Sequence, residues 1–157
     1  MKKLILLSLI LTSCGMFHPT NFDKPSLNEK VLSVKRDSIR FSEILKNNSS
    51  EKTLIHIYAS YCPFSQNSLK EIAHFQKENK EINYVFLSVD HSYFDWKRGL
   101  ENLPVKGNHY YLPTKGKGVL GRFLKLKEIP RFLVLNKEKE IKIFKSSKVS
   151  KIKESLQ

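Results

Sequence analysis

The residue best suited to chemistry in this sequence is Cys62, which follows an apolar stretch and precedes a helical pattern. Residues 53–59 are rich in β-branched and aromatic side chains, which favour a buried strand. Pro63 suits the first turn of a helix, where its missing N–H is no loss. A thiol at a helix N-terminus faces unpaired backbone N–H groups and the positive end of the helix dipole. Both favour the thiolate, the species that attacks a disulfide, so we expect Cys62 to be a nucleophile rather than an inert buried cysteine.

The segment Ala59-Ser60-Tyr61-Cys62-Pro63-Phe64-Ser65 resembles the strand-to-helix junction of the thioredoxin fold, where a Cys-x-x-Cys motif lies. The resemblance makes Cys62 the attacking cysteine and places Ser65 where the family has its second, resolving cysteine. Ile129-Pro130 looks like the family's cis-proline turn, which lies beside the active cysteine and helps to hold an extended substrate. The aromatic residues of the motif could form an apolar rim for a partner chain or pack inward. The residues implied to contact a substrate are Tyr61, Pro63, Phe64, Ile129 and Pro130.

His56 is a second candidate for chemistry, because it lies six residues before Cys62 on the predicted strand. By resemblance, it occupies the position of a buried acidic residue that exchanges protons with the cysteine pair in thioredoxins. Period-two alternation puts it on the same side of the strand as Leu54 and Tyr58. Two interpretations remain open: a proton acceptor near neutral pH, or a core histidine with one backbone partner.

The N-terminal residues predict a lipoprotein signal peptide. Two lysines follow Met1 and precede an apolar stretch over residues 4–11, which is far shorter than the about 20 residues of a membrane-spanning helix. Leu11-Thr12-Ser13-Cys14 resembles the lipobox of bacterial lipoproteins, which implies a lipid on Cys14 and a periplasmic domain at a bacterial membrane. The alternative is an ordinary signal peptide with an incidental cysteine. The predicted organisation is a signal peptide over residues 1–13, an anchor and flexible tether over 14–29, and one domain over 30–157.

If lipid blocks Cys14, Cys62 is the only free thiol and Ser65 limits the chemistry. A serine hydroxyl is too weak an acid to attack a mixed disulfide, although it could donate a hydrogen bond to the Cys62 thiolate. Leu87-Ser88-Val89-Asp90, followed by Trp96, and His109-Tyr110-Tyr111-Leu112 look like the TlpA-like group of membrane-anchored thiol–disulfide oxidoreductases.

Three functions remain open at this point. The preferred one is thiol–disulfide exchange with cysteine-containing envelope proteins through a single cysteine, without a cofactor. The second is a non-catalytic binding or assembly module that keeps the peptide groove. The third is a monothiol glutaredoxin-like protein using glutathione or an iron–sulfur cluster, because Cys-Pro-Phe-Ser lies near the Cys-Pro-Tyr-Cys and Cys-Gly-Phe-Ser patterns. Export to the envelope argues against the cluster.

The apolar pattern predicts an α/β domain with a mixed central sheet flanked by helices, which fits the thioredoxin-like resemblance. Trp96 is expected in the core. Strands are expected over residues 31–34, 53–59, 83–89, 109–112, 132–136 and 141–144. Helices are expected over residues 41–46, 63–79, 93–103, 119–126 and 149–156.

The chain is strongly basic, with 28 Lys and Arg against 15 Asp and Glu and a formal net charge of +13. This balance favours contact with anionic partners. The basic residues are spread along the chain without a run of five or more, and the signal peptide makes a membrane surface a better candidate than nucleic acid. The histidines at 74, 91 and 109 show no spacing typical of a metal site with Cys62.

Overall fold

The structure is a computed structural model that describes residues 18–47 and 50–156. The predicted signal peptide and the lipobox, with Cys14, lie outside the described residues. Within them, no helix is long and apolar enough to cross a bilayer.

The described chain alternates short helices with seven strands. The helices are α1 (Lys24–Asn28), α2 (Phe41–Lys46), α3 (Pro63–Phe75), α4 (Tyr93–Leu100), α5 (Val119–Phe123) and α6 (Val149–Leu156). The strands are β1 (Lys30–Leu32), β2 (Ser38–Arg40), β3 (Thr53–Tyr58), β4 (Asn83–Ser88), β5 (Asn108–Tyr111), β6 (Arg131–Leu135) and β7 (Ile141–Ser146).

The strands form one mixed sheet in the order β2-β1-β5-β4-β3-β6-β7. Strands β3, β4 and β5 run parallel to one another, whereas β6 runs antiparallel to β3 and β7 antiparallel to β6. The predicted α/β class with a mixed sheet flanked by helices is therefore confirmed.

The sheet is covered on both faces, and this explains the continuous apolar runs of its central strands. All six residues of β3 and all six of β4 are buried. On the α5 face, formed with α1, α2 and α5, Ile55 and Ile57 join one apolar cluster. On the α3 face, formed with α3, α4 and α6, Leu54 and Tyr58 join a second cluster. Trp96 is fully buried in that second cluster, as predicted.

The predicted strands agree with the structure to within two residues, but three helices end earlier than expected. The helix predicted over 63–79 stops at Phe75, where the side chain of Asn79 donates to the Phe75 carbonyl and the chain turns. The helices predicted over 93–103 and 119–126 stop at Leu100 and Phe123. Strand β2 was not predicted, because three residues are too few to show an alternating pattern.

The prediction of a flexible tether through residue 29 was wrong from Thr20 onward. The Thr20 carbonyl accepts a hydrogen bond from the Ile141 N–H at 2.7 Å. The Phe22 ring packs against Phe41 and Phe123, with centroid distances of 5.1 and 5.4 Å. Helix α1 then follows, capped by Asp23. Isolated apolar residues and a five-residue helix leave no periodic signal in sequence, so only packing reveals this docking.

Glu29 fastens the docked segment to α5 and to the loop that precedes it. Its buried carboxylate accepts hydrogen bonds from the Thr114 hydroxyl at 2.6 Å and from the Leu120 N–H at 2.5 Å. The Leu120 N–H lies in the first turn of α5, so the carboxylate also caps that helix. A side chain at Gly118, the residue before α5, would overlap the Glu29 carboxylate.

We expect Glu29→Ala to lower the free energy of unfolding by about 2 kcal/mol, because the buried Leu120 N–H and the Thr114 hydroxyl lose their acceptor. The measurement is urea denaturation followed by circular dichroism. Glu43→Ala is the matched control, because Glu43 forms an exposed ion pair with Arg40 at 3.9 Å. That control should change stability by less than about 0.5 kcal/mol. Equal stabilities of the Glu29 variant and the control would contradict the role assigned to Glu29.

Candidate functional site

Cys62 lies in the turn between β3 and α3 and is the N-cap residue of α3. Its N–H donates to the Ala59 carbonyl at 3.1 Å, and its carbonyl accepts from the Gln66 N–H at 2.9 Å. The side chain is partly exposed and packs against the apolar cluster of the α5 face. Within the described residues, no hydrogen bond engages its sulfur. Pro63 begins the helix, as predicted. The thiol is thus held at a helix N-terminus and is open to a partner.

Asp90 holds the turn that presents Cys62. Its Oδ1 atom accepts hydrogen bonds from the Ser60 N–H at 2.9 Å and the Ser60 hydroxyl at 2.7 Å. Its Oδ2 atom accepts one from the Ser88 hydroxyl at 2.6 Å. The residue is 1% exposed, so these bonds are shielded from water. The sequence placed Asp90 within a family-like segment but gave it no role; its position directly after a buried strand was the available signal.

Ser65 is fully buried, in the first turn of α3. Its hydroxyl oxygen accepts a long hydrogen bond from the Ala59 N–H at 3.4 Å. Within the described residues, the hydrogen bond that the sequence allowed from this hydroxyl to the Cys62 sulfur is not formed. Ser65 instead joins α3 to the end of β3.

His56 lies on the α3 face, in the predicted orientation, within a row of rings that crosses four strands. Its ring stacks on Phe132 at 4.4 Å and meets Phe86 edge-on at 5.9 Å. Phe86 in turn stacks on His109 at 4.7 Å. The row follows from register, because these four residues are paired directly across β6, β3, β4 and β5.

One hydrogen bond fixes the tautomer of His56. The Ser68 hydroxyl donates to the Ser65 carbonyl at 2.8 Å, so it accepts from Nε2–H of His56 at 3.1 Å. The Nδ1 atom has no hydrogen-bond partner within the described residues. Burial, aided by the charge of His109, lowers the pKa of His56 to about 3. Such a group is a poor proton acceptor near neutral pH, so the geometry favours a core histidine, held by a side chain instead of the expected backbone group.

Two aromatic residues of the motif point outward and form a rim around Cys62. Phe64 is 73% exposed and Tyr61 is 53% exposed. The Tyr61 ring stacks on His91 with a centroid distance of 4.3 Å, which fixes its direction. Of the two interpretations left open by the sequence, an outward rim is the one observed.

The Ile129–Pro130 bond is cis, as predicted. Pro130 borders a groove with a volume of about 690 Å³. We call it the Pro130 groove; its lining includes Phe64, Glu71, Glu128, Ile129, Pro130 and Lys148. The predicted substrate residues Phe64, Ile129 and Pro130 therefore share one surface. Tyr61 and Pro63 are not among the residues that line this groove.

Arg131, directly after the cis bond, was not anticipated as a site residue. Its side chain is 2% exposed, and its nearest acid is Glu128, whose Oε1 atom lies 3.8 Å from a guanidinium nitrogen. No guanidinium nitrogen has a hydrogen-bond partner among the described residues. Burial lowers the pKa of Arg131, and the charge of Glu128 opposes that shift. Strand alternation puts Arg131 on the α5 face, against which Cys62 also packs.

The described residues contain no group of three or more His, Cys, Asp or Glu side chains that could hold a metal ion.

Comparisons with known proteins agree with this geometry. Residues 32–141 match the sequence profile of the family described as Thioredoxin-like. A candidate thiol–disulfide oxidoreductase from Bacteroides vulgatus has a similar structure, with a TM-score of 0.67 at 16% identity over 85% of this chain and 86% of that one. The thioredoxin domain of a thiol–disulfide oxidoreductase from Bacteroides vulgatus gives 0.63 at 12% identity, over 87% and 100% of the two chains.

A secreted disulfide oxidoreductase from Mycobacterium tuberculosis gives a TM-score of 0.60 at 8% identity, over 80% of this chain and 87% of that one. At these identities the structural matches show a shared fold. No curated protein matched the sequence.

The buried His56 and the partly buried His109 predict a stability that falls in acid. Burial lowers the pKa of His109 to about 4, as it lowers that of His56 to about 3. The unfolded chain therefore binds more protons than the folded one below about pH 6.5, and stability is lost as the pH falls from there. Between pH 7 and 5 we expect a loss on the order of 2 kcal/mol per histidine.

Urea denaturation at several pH values measures this loss. His56→Gln should flatten the profile, whereas His74→Gln, at an exposed position of α3, should leave it as in the parent. A parent protein equally stable at pH 7 and 5 would contradict the assignment.

Proposed function

The chain belongs to the Thioredoxin-like family, and from that premise we propose that it is an envelope lipoprotein acting in thiol–disulfide exchange through Cys62. The observation that carries the proposal is the placement of one partly exposed thiol at the N-terminus of α3, inside an aromatic rim and beside a cis-proline groove. An inert structural cysteine would have no need of this presentation.

The proposed reaction is a single exchange. The Cys62 thiolate attacks one sulfur of a client disulfide, a bond forms between these two sulfurs, and the other client sulfur leaves as a thiolate. The client is now joined to Cys62. A second client thiol, or an external thiol, attacks the mixed disulfide and restores Cys62, so no cofactor enters the balance. The N-terminus of α3 places the positive end of the helix dipole at the turn that carries the reacting sulfur in both steps.

Ser65 determines how long a client remains attached. Its position in the first turn is the one from which a second cysteine would attack, but a hydroxyl cannot break a disulfide at neutral pH. The buried hydroxyl is bonded to the Ala59 N–H, so it supports the turn instead. Release therefore depends on a thiol outside this chain.

The cell envelope is the proposed location, with a lipid on Cys14 and the domain on the periplasmic side. The lipobox-like Leu11-Thr12-Ser13-Cys14 supports this, and one structurally similar protein is described as secreted. Disulfides persist in such compartments, so clients with oxidised cysteines are available there.

A non-catalytic binding module is the second candidate, favoured by one observation. The Cys62 sulfur has no hydrogen bond within the described residues, while the aromatic rim and the Pro130 groove are both present. In that case the groove would hold clients without sulfur chemistry.

Capture of clients in the cell separates the two candidates. We expect the full chain with a C-terminal epitope to form discrete adducts on non-reducing gels after acid quenching, and reductant to remove them. Cys62→Ser should abolish the adducts, and Ser65→Ala should keep them, because the captured client has no internal route of release. A folded parent that gives the same gel pattern as Cys62→Ser would instead support the binding module.

Ser65→Cys should convert the site from one thiol to two. A cysteine in the first turn can attack the mixed disulfide, so adducts should become scarce and reduction of insulin disulfides should rise at least about tenfold above the parent rate. The double variant Cys62→Ser with Ser65→Cys is the control and should stay at the parent rate. Thermal unfolding confirms that each variant is folded. Unchanged adducts in a folded Ser65→Cys protein would overturn the role given to this position.

A further inference from the structure

Exposed lysines recur along β7 and just after it. This strand ends the sheet, with β6 on one side only. We call this group the basic edge and define it as Lys142 and Lys145 of β7, Lys148 of the loop that follows and Lys151 of α6. Lys142 forms an ion pair with Glu140 at 2.7 Å. The other three form no ion pair with a described residue.

The N-terminal segment of the described chain lies against this edge. The His18 ring contacts Phe144 of β7 at a centroid distance of 5.6 Å, and the Thr20 carbonyl bonds to Ile141. A depression of about 360 Å³ lies between the segment, β7 and α6. Its charged and titratable lining consists of His18, Lys142, Lys145, Lys151 and Glu154. Glu154 is the one acid in that lining.

The proposed lipid site is close to this edge in covalent distance. Cys14 precedes His18 by four residues, and an extended chain spans at most about 3.6 Å per residue. The lipidated residue therefore lies within about 14 Å of the His18 backbone. Because this connection is short and His18 packs on β7, the β7 side is the part of the domain nearest the membrane surface.

We propose that the basic edge lies against anionic phospholipid headgroups of the membrane that holds the chain. The inference rests on the lipid anchor proposed above for its geometry and on charge complementarity for its energy. Each lysine near an anionic surface strengthens binding about fivefold, and the effect decays within a Debye length. Lys148 also lines the Pro130 groove, so this orientation brings the groove beside the membrane surface.

Edge protection is the competing explanation for these lysines. Charged side chains on an edge strand prevent it from pairing with another sheet. Either sign of charge serves that purpose, whereas only positive charge attracts an anionic bilayer. Exchanging lysine for glutamate therefore separates the two explanations.

The test uses the chain from residue 14 with Cys14→Ser, which keeps every described residue and carries no lipid. Sedimentation measures its binding to phosphatidylcholine vesicles with and without phosphatidylglycerol at low salt. We expect binding that requires phosphatidylglycerol and weakens with salt. The triple variant K145E/K148E/K151E should lower the partition coefficient about 100-fold or more.

The matched control is K70E/K80E/K106E, which makes the same charge change at exposed lysines away from β7. It should lower the partition coefficient far less than the first triple variant. Equal losses for the two variants would mean that net charge alone drives binding and would overturn the proposal. Absence of binding by the parent would overturn it as well. Circular dichroism and gel filtration establish that the variants are folded and monomeric.

The lipid anchor is tested separately, by labelling bacteria with an alkyne fatty acid and comparing the full chain with its Cys14→Ser variant. Label that depends on Cys14 supports the anchor and, with it, the orientation of the basic edge. Absence of label would remove the anchor and the orientation argued from it, whatever the vesicles show. Vesicle binding lost equally in both triple variants, with label present, would overturn the basic edge alone.

Discussion

Strand β3 is buried along its whole length, between β4 on one side and β6 on the other, with an apolar cluster above and below it. Because all of its backbone groups and both of its faces are engaged, the point where it ends is fixed to the rest of the domain. Cys62 lies four residues beyond that end. The antiparallel partner β6 begins where β3 ends, so the cis-proline turn and the turn with Cys62 lie at the same end of the sheet although they are far apart in sequence.

Two buried carboxylates, those of Asp90 and Glu29, hold segments outside the sheet in place. Asp90 accepts three hydrogen bonds and holds the Ser60 end of the turn, while Glu29 fastens the N-terminal segment to α5. In both cases the acceptor is shielded from water, so an unmade bond would leave a buried donor without a partner. The turn that presents Cys62 and the attachment of the N-terminal segment therefore both depend on a buried carboxylate that accepts hydrogen bonds from another segment of the chain.

Local features of the sequence were sufficient for the centre of the site. Cys62 and Pro63 were recognised because strand, turn and helix signals lie within a few residues of them, whereas Ile129-Pro130 was recognised by its resemblance to the cis-proline turn of the thioredoxin fold. Asp90 and Arg131 were not, because their surroundings depend on strands that pair across thirty residues or more. The row of rings through His56 likewise requires the register of four strands. The docking of Phe22 left no periodic signal, and the predicted tether was too long for that reason.

Ser65 and the proposed lipid anchor on Cys14 would have related consequences for how such a domain works. A site with one thiol cannot end its own reaction, so each exchange depends on a second thiol that reaches the mixed disulfide. The proposed lipid anchor would confine the domain to one surface and raise the effective concentration of partners held on the same surface. Partners fixed to that surface would meet the Pro130 groove where Lys148 borders it, and a releasing thiol there need not diffuse from solution. Confinement of this kind would offset the absence of a second cysteine at position 65, because the releasing thiol could come from a neighbouring protein instead of from the first turn of α3.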